Sequence, residues 1–364
     1  MKRFLAIVLS LTLTVAMLSI PALSQPVDIE TGEIRGAPFR IQIPTQWNRN
    51  LVMYTHAYVP RGMPWSPLAG ALSAVFLERG FALAESGYSR QGWAVEEGIA
   101  ETEALRQHFI ELYGQPDSTF VAGHSLGGLI AIATIETYPD AYVGALPMCA
   151  PLVPAIHFFR DPVFDMLVTF EGLFGNLLPK ELGPLVEAPD LVRQVVEHAL
   201  ESDPSLATSF AQHWDIRPDD LAAILVLYHL LYRELTDRAG GNPIDNRNTV
   251  YSGFGSQDKL NEAVRRYAAQ PEAVRYTRRY YTPTGEIEDP VLAVHTTYDP
   301  GVPPRLPNYY DVTVTLRGND EWFVQKYVEA DGHCNIEPGL VGQAFDQLRA
   351  WTATGIRPES GLLR

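Results

Sequence analysis

Gly123, His124, Ser125, Leu126 and Gly127 place a serine between two glycines. The apolar run Ser118 to Ala122 before them reads as a strand, and Leu129 to Ile135 after them reads as a helix. A strand-to-helix turn this tight needs small residues two positions before and two positions after the serine, and it leaves the hydroxyl on a strained, exposed point. The first turn of the helix carries unpaired amides and a positive dipole end, so the N–H of Leu126 is expected to face a developing oxyanion. The chemistry that follows is attack by the Ser125 oxygen on a carbonyl carbon. The competing reading is a glycine-rich turn that only lets a helix pack closely on a sheet, and it requires no partner residues.

A serine hydroxyl becomes a competent nucleophile only beside an oriented base. His333 stands in Asp331, Gly332, His333, Cys334, Asn335, just beyond the predicted strand Trp322 to Val328, where a base belongs. His295 lies inside the predicted strand Val291 to Thr296 and reads as a core or edge group. Asp299 follows that strand in a turn with Pro300 and Gly301, a setting in which an aspartate often serves only to form the turn. Its place at a strand end ahead of His333 favours it as the acid. Asp331 is the rival, but two residues from His333 it has difficulty reaching round to the imidazole. The expected triad is therefore Ser125, Asp299 and His333. The second oxyanion donor is expected after the strand Leu51 to Thr55, from the backbone N–H of Tyr58, with Ala57 as the alternative. Cys149 closes the strand Gly144 to Met148 and Cys334 adjoins His333, so a disulfide between them is expected in preference to two buried thiols. No histidine or cysteine spacing suits a metal and no Gly-x-Gly-x-x-Gly follows a strand, so neither metal nor cofactor is implied.

These residues need a scaffold that brings strand ends together. Phe39 to Ile43, Leu51 to Thr55, Phe81 to Glu85, Ser118 to Ala122, Gly144 to Met148, Val291 to Thr296 and Trp322 to Val328 read as strands. Between them run helical patterns such as Trp93 to Tyr113, and alternation of this kind builds a sheet with crossover helices. The rhythm stops near Ala150 and returns near Pro290. The intervening stretch is helical and broken by prolines. Its clearest helix runs from about Pro218 to Arg238, with Asp219 and Asp220 at the start and Gly240 and Gly241 past the end. That helix is apolar almost all round, so it is buried on more than one side or covers something apolar. Residues 151–285 are accordingly read as a helical cap inserted into a core formed by 25–150 and 286–364, in preference to an independent second domain.

The first 24 residues carry Lys2 and Arg3, an apolar run to about Ile20, and then Ala22, Leu23 and Ser24, the shape of a secretory signal peptide over 1–24. Cleavage would leave a secreted or periplasmic chain with no stable membrane insertion, and would place both cysteines in an oxidising compartment. With 28 Lys plus Arg against 43 Asp plus Glu, the acidic balance argues against a nucleic-acid surface, which needs a concentrated basic patch.

Over nearly the whole mature length the sequence resembles the α/β-hydrolase superfamily, through Gly123 to Gly128, the Asp299 turn and the Gly332, His333, Cys334 loop. The stretches Gly87 to Ala94 and His295 to Pro303 are similar to secreted bacterial hydrolases described as esterase-like or prolyl-oligopeptidase-like. The resemblance implies an α/β fold with an eight-stranded, mostly parallel sheet, a helical cap and an acyl-serine mechanism. Ala57 stands where esterases often have the glycine of His-Gly. The expected activity is hydrolysis of a small-molecule or oligomeric carboxylic ester. A serine peptidase or amidase with the same triad is the alternative, and it would need a cap carboxylate to hold a substrate amine, with Glu171, Glu187, Glu197 and Glu201 as candidates. A non-catalytic binding protein on the same fold is a third reading, which three present triad members disfavour.

Overall fold

The computed structural model describes residues 26–175, 177–178, 189–254 and 257–364. The leader expected over 1–24 lies outside them, as does Glu187. The strands are β1 (Val27–Ile34), β2 (Ala37–Pro44), β3 (Asn50–Thr55), β4 (Ala82–Ser86), β5 (Ser118–His124), β6 (Gly144–Met148), β7 (Val291–Tyr298), β8 (Phe323–Asp331) and β9 (Gly361–Leu362). They form one sheet in the order β1-β2-β4-β3-β5-β6-β7-β8-β9. Pairing is antiparallel for β1 with β2 and for β2 with β4, and parallel for every later pair. All seven strands expected from the sequence form. Among the described residues the sheet has nine strands, one more than the eight expected, because β9 adds two residues beside β8.

Alternation along each strand feeds two cores. On β3, Val52 and Tyr54 face a layer with Phe76, Phe120, Phe345 and Leu348, while Leu51 and Met53 face Leu105, Phe109, Ile132 and Ile135. The first layer is covered by helices α1 (Gly70–Leu77) and α12 (Pro338–Thr354), the second by α2 (Val95–Tyr113) and α3 (Leu126–Thr137). Burying a large apolar side chain contributes roughly 1.5–3 kcal/mol, and both faces of the sheet are covered.

Between β6 and β7 the chain forms α4 (Ala155–Phe158), α5 (Asp165–Phe174), α6 (Pro189–Ser202), α7 (Pro204–His213), α8 (Pro218–Arg238), α9 (Gln257–Ala263) and α10 (Pro271–Arg279), and α11 (Asn308–Arg317) follows β7. Helix α8 has Pro218 in its first turn, Asp219 and Asp220 at the positive end and Arg238 in its last turn, so its charges suit the dipole. Leu225, Tyr228 and Leu235 on it are fully buried in a third apolar cluster that also takes Leu129 and Ile130 of α3. The apolar girdle of α8 is thus explained by packing against α5, α6 and α7 and by Tyr228 reaching the carbonyls of Pro300 and Gly301 at the sheet end.

Parallel strands all point one way. The turns after β3, β5, β7 and β8 therefore emerge at one edge of the sheet, and these are the turns that carry Ala57 and Tyr58, Ser125, Asp299 and His333.

Candidate active site

Ser125 sits between β5 and α3 with φ 56° and ψ −125°, a backbone conformation that side chains other than glycine rarely adopt. Its amide is held by the carbonyl of Met148 at 2.8 Å, and its carbonyl accepts from Gly128 at 3.0 Å. The flanking glycines are required by close approach. A Cβ on Gly123 would lie 2.1 Å from Thr55 Oγ1, and one on Gly127 would lie 2.0 Å from the Thr55 carbonyl. Thr55 Oγ1 donates to the Gly127 carbonyl at 2.7 Å, which locks the turn against β3.

The three residues expected to act together are brought together. Ser125 Oγ lies 2.7 Å from His333 Nε2, and His333 Nδ1 lies 2.7 Å from Asp299 Oδ2. Asp299 has no exposed side-chain surface, so its acceptors must be filled from within. Oδ1 takes the N–H groups of Gly301 at 2.9 Å and Val302 at 2.8 Å, which leaves Oδ2 for the imidazole. His333 then carries its proton on Nδ1, and Nε2 is free to accept from the serine hydroxyl. The rival Asp331 points elsewhere. Its carboxylate accepts from Arg217 at 2.8 Å in an exposed pair.

A disulfide joins Cys149 to Cys334, with Cα atoms 5.4 Å apart. It ties the loop of His333 to the end of β6, one strand from the strand that leads into Ser125.

Leu126 is the first residue of α3, so its amide has no acceptor within the helix. Ala57, Tyr58 and Leu126 line the same cavity as Ser125. His56 Nδ1 lies 2.7 Å from the Ala57 carbonyl and must donate to it. That carbonyl and the Tyr58 N–H are opposite ends of one planar peptide, so the bond fixes the direction of the Tyr58 N–H. Burial lowers the pKa of His56 to about 4, although its hydrogen bond to the Ala57 carbonyl opposes the shift. His124 is likewise lowered to about 4, by burial first and then by His333 and His56, and its Nδ1 pairs with the Tyr54 hydroxyl at 2.5 Å. Both imidazoles beside the serine are therefore neutral at pH 7.

The cavity beside Ser125 has a volume of about 300 Å³. Its apolar wall comes from Trp93, Phe158, Leu227, Leu231 and Val302, and among the described residues no Asp or Glu lines it. None of the described carboxylates expected to hold an amine reaches it. Glu171 lines a separate cavity of about 240 Å³ between α5 and α8, Glu197 is exposed beside Arg193, and Glu201 is exposed on α6. Sequence reasoning did not assign Phe158, Leu227 or Leu231 to the pocket. The signal that could have found the two leucines was the apolar girdle of α8.

The order of strands, the serine at the turn after β5 and the acid and histidine after β7 and β8 decide the fold class. The chain is an α/β-hydrolase in fold. A tannase-like family of unknown function matches residues 12–156, a stretch that holds Ser125 but neither Asp299 nor His333. No curated protein matches the sequence. Similar solved structures include a mutant of the rice cell wall degrading esterase LipA of Xanthomonas oryzae, with 13% identity, 87% of this chain and 86% of that chain covered, and a TM-score of 0.47. Feruloyl esterase B of Aspergillus oryzae has 13% identity, coverage of 91% and 80%, and a TM-score of 0.48. The Pyrococcus furiosus esterase Pf2001 has 12% identity, coverage of 91% and 89%, and a TM-score of 0.45.

Proposed function

We propose that this chain is an exported carboxylic ester hydrolase working through an acyl-serine intermediate. The observation that carries the reading is the unbroken hydrogen-bonded series from Ser125 through His333 to the buried Asp299, opening onto an apolar cavity. His333 Nε2 takes the hydroxyl proton as Ser125 Oγ bonds to the ester carbonyl carbon, and the oxyanion is held by the amides of Leu126 and Tyr58. His333 returns the proton to the leaving alkoxide, and water repeats the sequence on the acyl-serine. The segment between β6 and β7 acts as a cap over the 25–150 and 286–364 core, and its Leu227 and Leu231 face the substrate.

Ester is favoured over peptide by the wall of the cavity. An α-ammonium group placed among Trp93, Phe158, Leu227 and Leu231 would be desolvated without a counter-charge, which is costly. Export is supported by the Cys149–Cys334 bridge, since such bonds persist in oxidising compartments.

The test is a panel of nitrophenyl esters of rising acyl length against aminoacyl arylamides, with fluorophosphonate labelling of the wild type and Ser125→Ala. Ester turnover that grows with apolar acyl size until the cavity is filled, and labelling abolished by Ser125→Ala, are expected. Faster cleavage of the arylamides, or labelling that survives the substitution, would overturn the assignment.

A further inference from the structure

The two amides that orient Asp299 belong to Gly301 and Val302, so the carboxylate is only as well placed as the turn after β7. The sheet alone does not hold that turn. Pairing of β7 with β8 is regular to Thr296 and shifts register between Thr296 and Tyr298, so the ladder is interrupted just before the acid. Three side chains take over. Thr296 Oγ1 reaches the carbonyls of Tyr298 at 3.3 Å and Gly332 at 3.1 Å. Tyr228 of α8 donates toward the carbonyls of Pro300 at 3.3 Å and Gly301 at 3.1 Å. The Val302 carbonyl turns back toward the sheet, where His295 Nε2 meets it at 2.8 Å, the shortest of these contacts.

His295 is 1% exposed on β7. Burial lowers its pKa against the opposing pull of Asp299, so it is neutral with a single ring N–H. The acceptor at 2.8 Å requires that proton on Nε2. The 3.6 Å approach of the same nitrogen to Asp299 Oδ2 is consequently no ion pair. The groups that face the acid are His333 from the loop after β8, His295 from β7 and, through the turn's carbonyls, the Tyr228 hydroxyl from α8.

We propose that His295 is a positioning residue, whose Nε2–H holds the Val302 carbonyl and so fixes the turn that aims Asp299 at His333. It touches no reacting atom and acts through the acid. The inference rests on the triad reading above. A loosened turn lets the carboxylate drift, and misplacement by about 1 Å in such a series can cost on the order of 100-fold in rate.

Gln and Asn variants separate this role from space filling. Gln carries its amide nitrogen near the position of Nε2, whereas Asn carries it near Nδ1 and cannot reach Val302. His295→Asn is expected to lower kcat on a nitrophenyl ester about 10- to 100-fold with KM changed by less than about twofold, and His295→Gln to recover to within about threefold of wild type. The low-field proton resonance of the His333–Asp299 bond should be lost or broadened in the Asn variant and kept in the Gln variant. That resonance needs no substrate, so it tests His295 even if Ser125→Ala shows the ester reading to be wrong. Should His295→Asn fail to melt cooperatively, His295→Met, which fills the space without a donor, takes its place. Equal kcat and equal resonances in the donor-bearing and donor-lacking variants would overturn the proposal.

Discussion

Replacing Asp299 with asparagine alters one atom and tests the whole proton path. The introduced amide can keep its oxygen on the Gly301 and Val302 N–H groups, which stand 2.9 and 2.8 Å from Oδ1 in the native turn, so the turn has no reason to move. The amide NH2 group then faces His333 Nδ1, where Oδ2 stands at 2.7 Å. Two donors cannot face each other, so the imidazole must shift its proton to Nε2. That nitrogen would then donate to Ser125 Oγ and could no longer act as a base. The loss of the correct tautomer in a triad of this kind costs about 10⁴ in kcat, or roughly 5 kcal/mol of transition-state stabilisation. The assay is steady-state hydrolysis of a nitrophenyl ester, with the fluorophosphonate labelling rate as a second readout and thermal melting to confirm the fold. Asp331→Asn should leave turnover little changed, because its carboxylate is exposed and bound to Arg217. A folded Asp299→Asn enzyme that loses less than about tenfold, or an Asp331→Asn enzyme that loses more than it, would refute the assignment of the acid.

The Cys149–Cys334 bond closes a sequence separation of 185 residues, for which chain entropy alone allows up to about 5 kcal/mol of stabilisation. Mild reductant should lower activity before it unfolds the protein, because the bond restrains the loop of His333 directly; full activity and an unchanged melting temperature in Cys149→Ser Cys334→Ser would contradict this. Stability should also fall as pH drops from about 6.5 to about 4. His56, His124 and His229 are held near 4 when folded, chiefly by burial, against about 6.5 unfolded, so the unfolded chain binds more protons across that window. Glu85 works in the opposite sense. Burial raises it to about 7, so between its unfolded value of about 4.5 and 7 the folded state holds the extra proton and loses stability as pH rises. Glu85→Gln should therefore steepen the acid decline in a pH series of denaturant melts, and an unaltered slope would count against the buried carboxyl.

The strands, α2 and α8 could be read from the chain because each is a periodic pattern of apolar residues closed by capping or turn residues, and such patterns are local. Helix α8 is the clearest case, since Pro218, Asp219, Asp220 and Gly240 mark both of its ends. Ser125 was legible from a local motif, two glycines between a strand and a helix, although the close approach that requires those glycines is to Thr55 on β3. Strand β1 was not. Asp28, Glu30, Thr31, Gly32 and Glu33 leave it mostly exposed at the edge of the sheet, so no buried face patterns its sequence. The preference for Asp299 over Asp331 could be argued from chain position, yet the contacts that bear on it join distant residues, Asp299 meeting His333 and Asp331 pairing with Arg217, which lies 114 residues away. The disulfide depended in the same way on how β6 and the loop after β8 come together. Nothing local marks which residues of the apolar girdle of α8 wall the cavity, or the hold of Tyr228 on the turn that carries Asp299. Those contacts join residues that only the parallel sheet and the helices between β6 and β7 bring within a hydrogen bond, and a single chain carries no periodic trace of a distance in space.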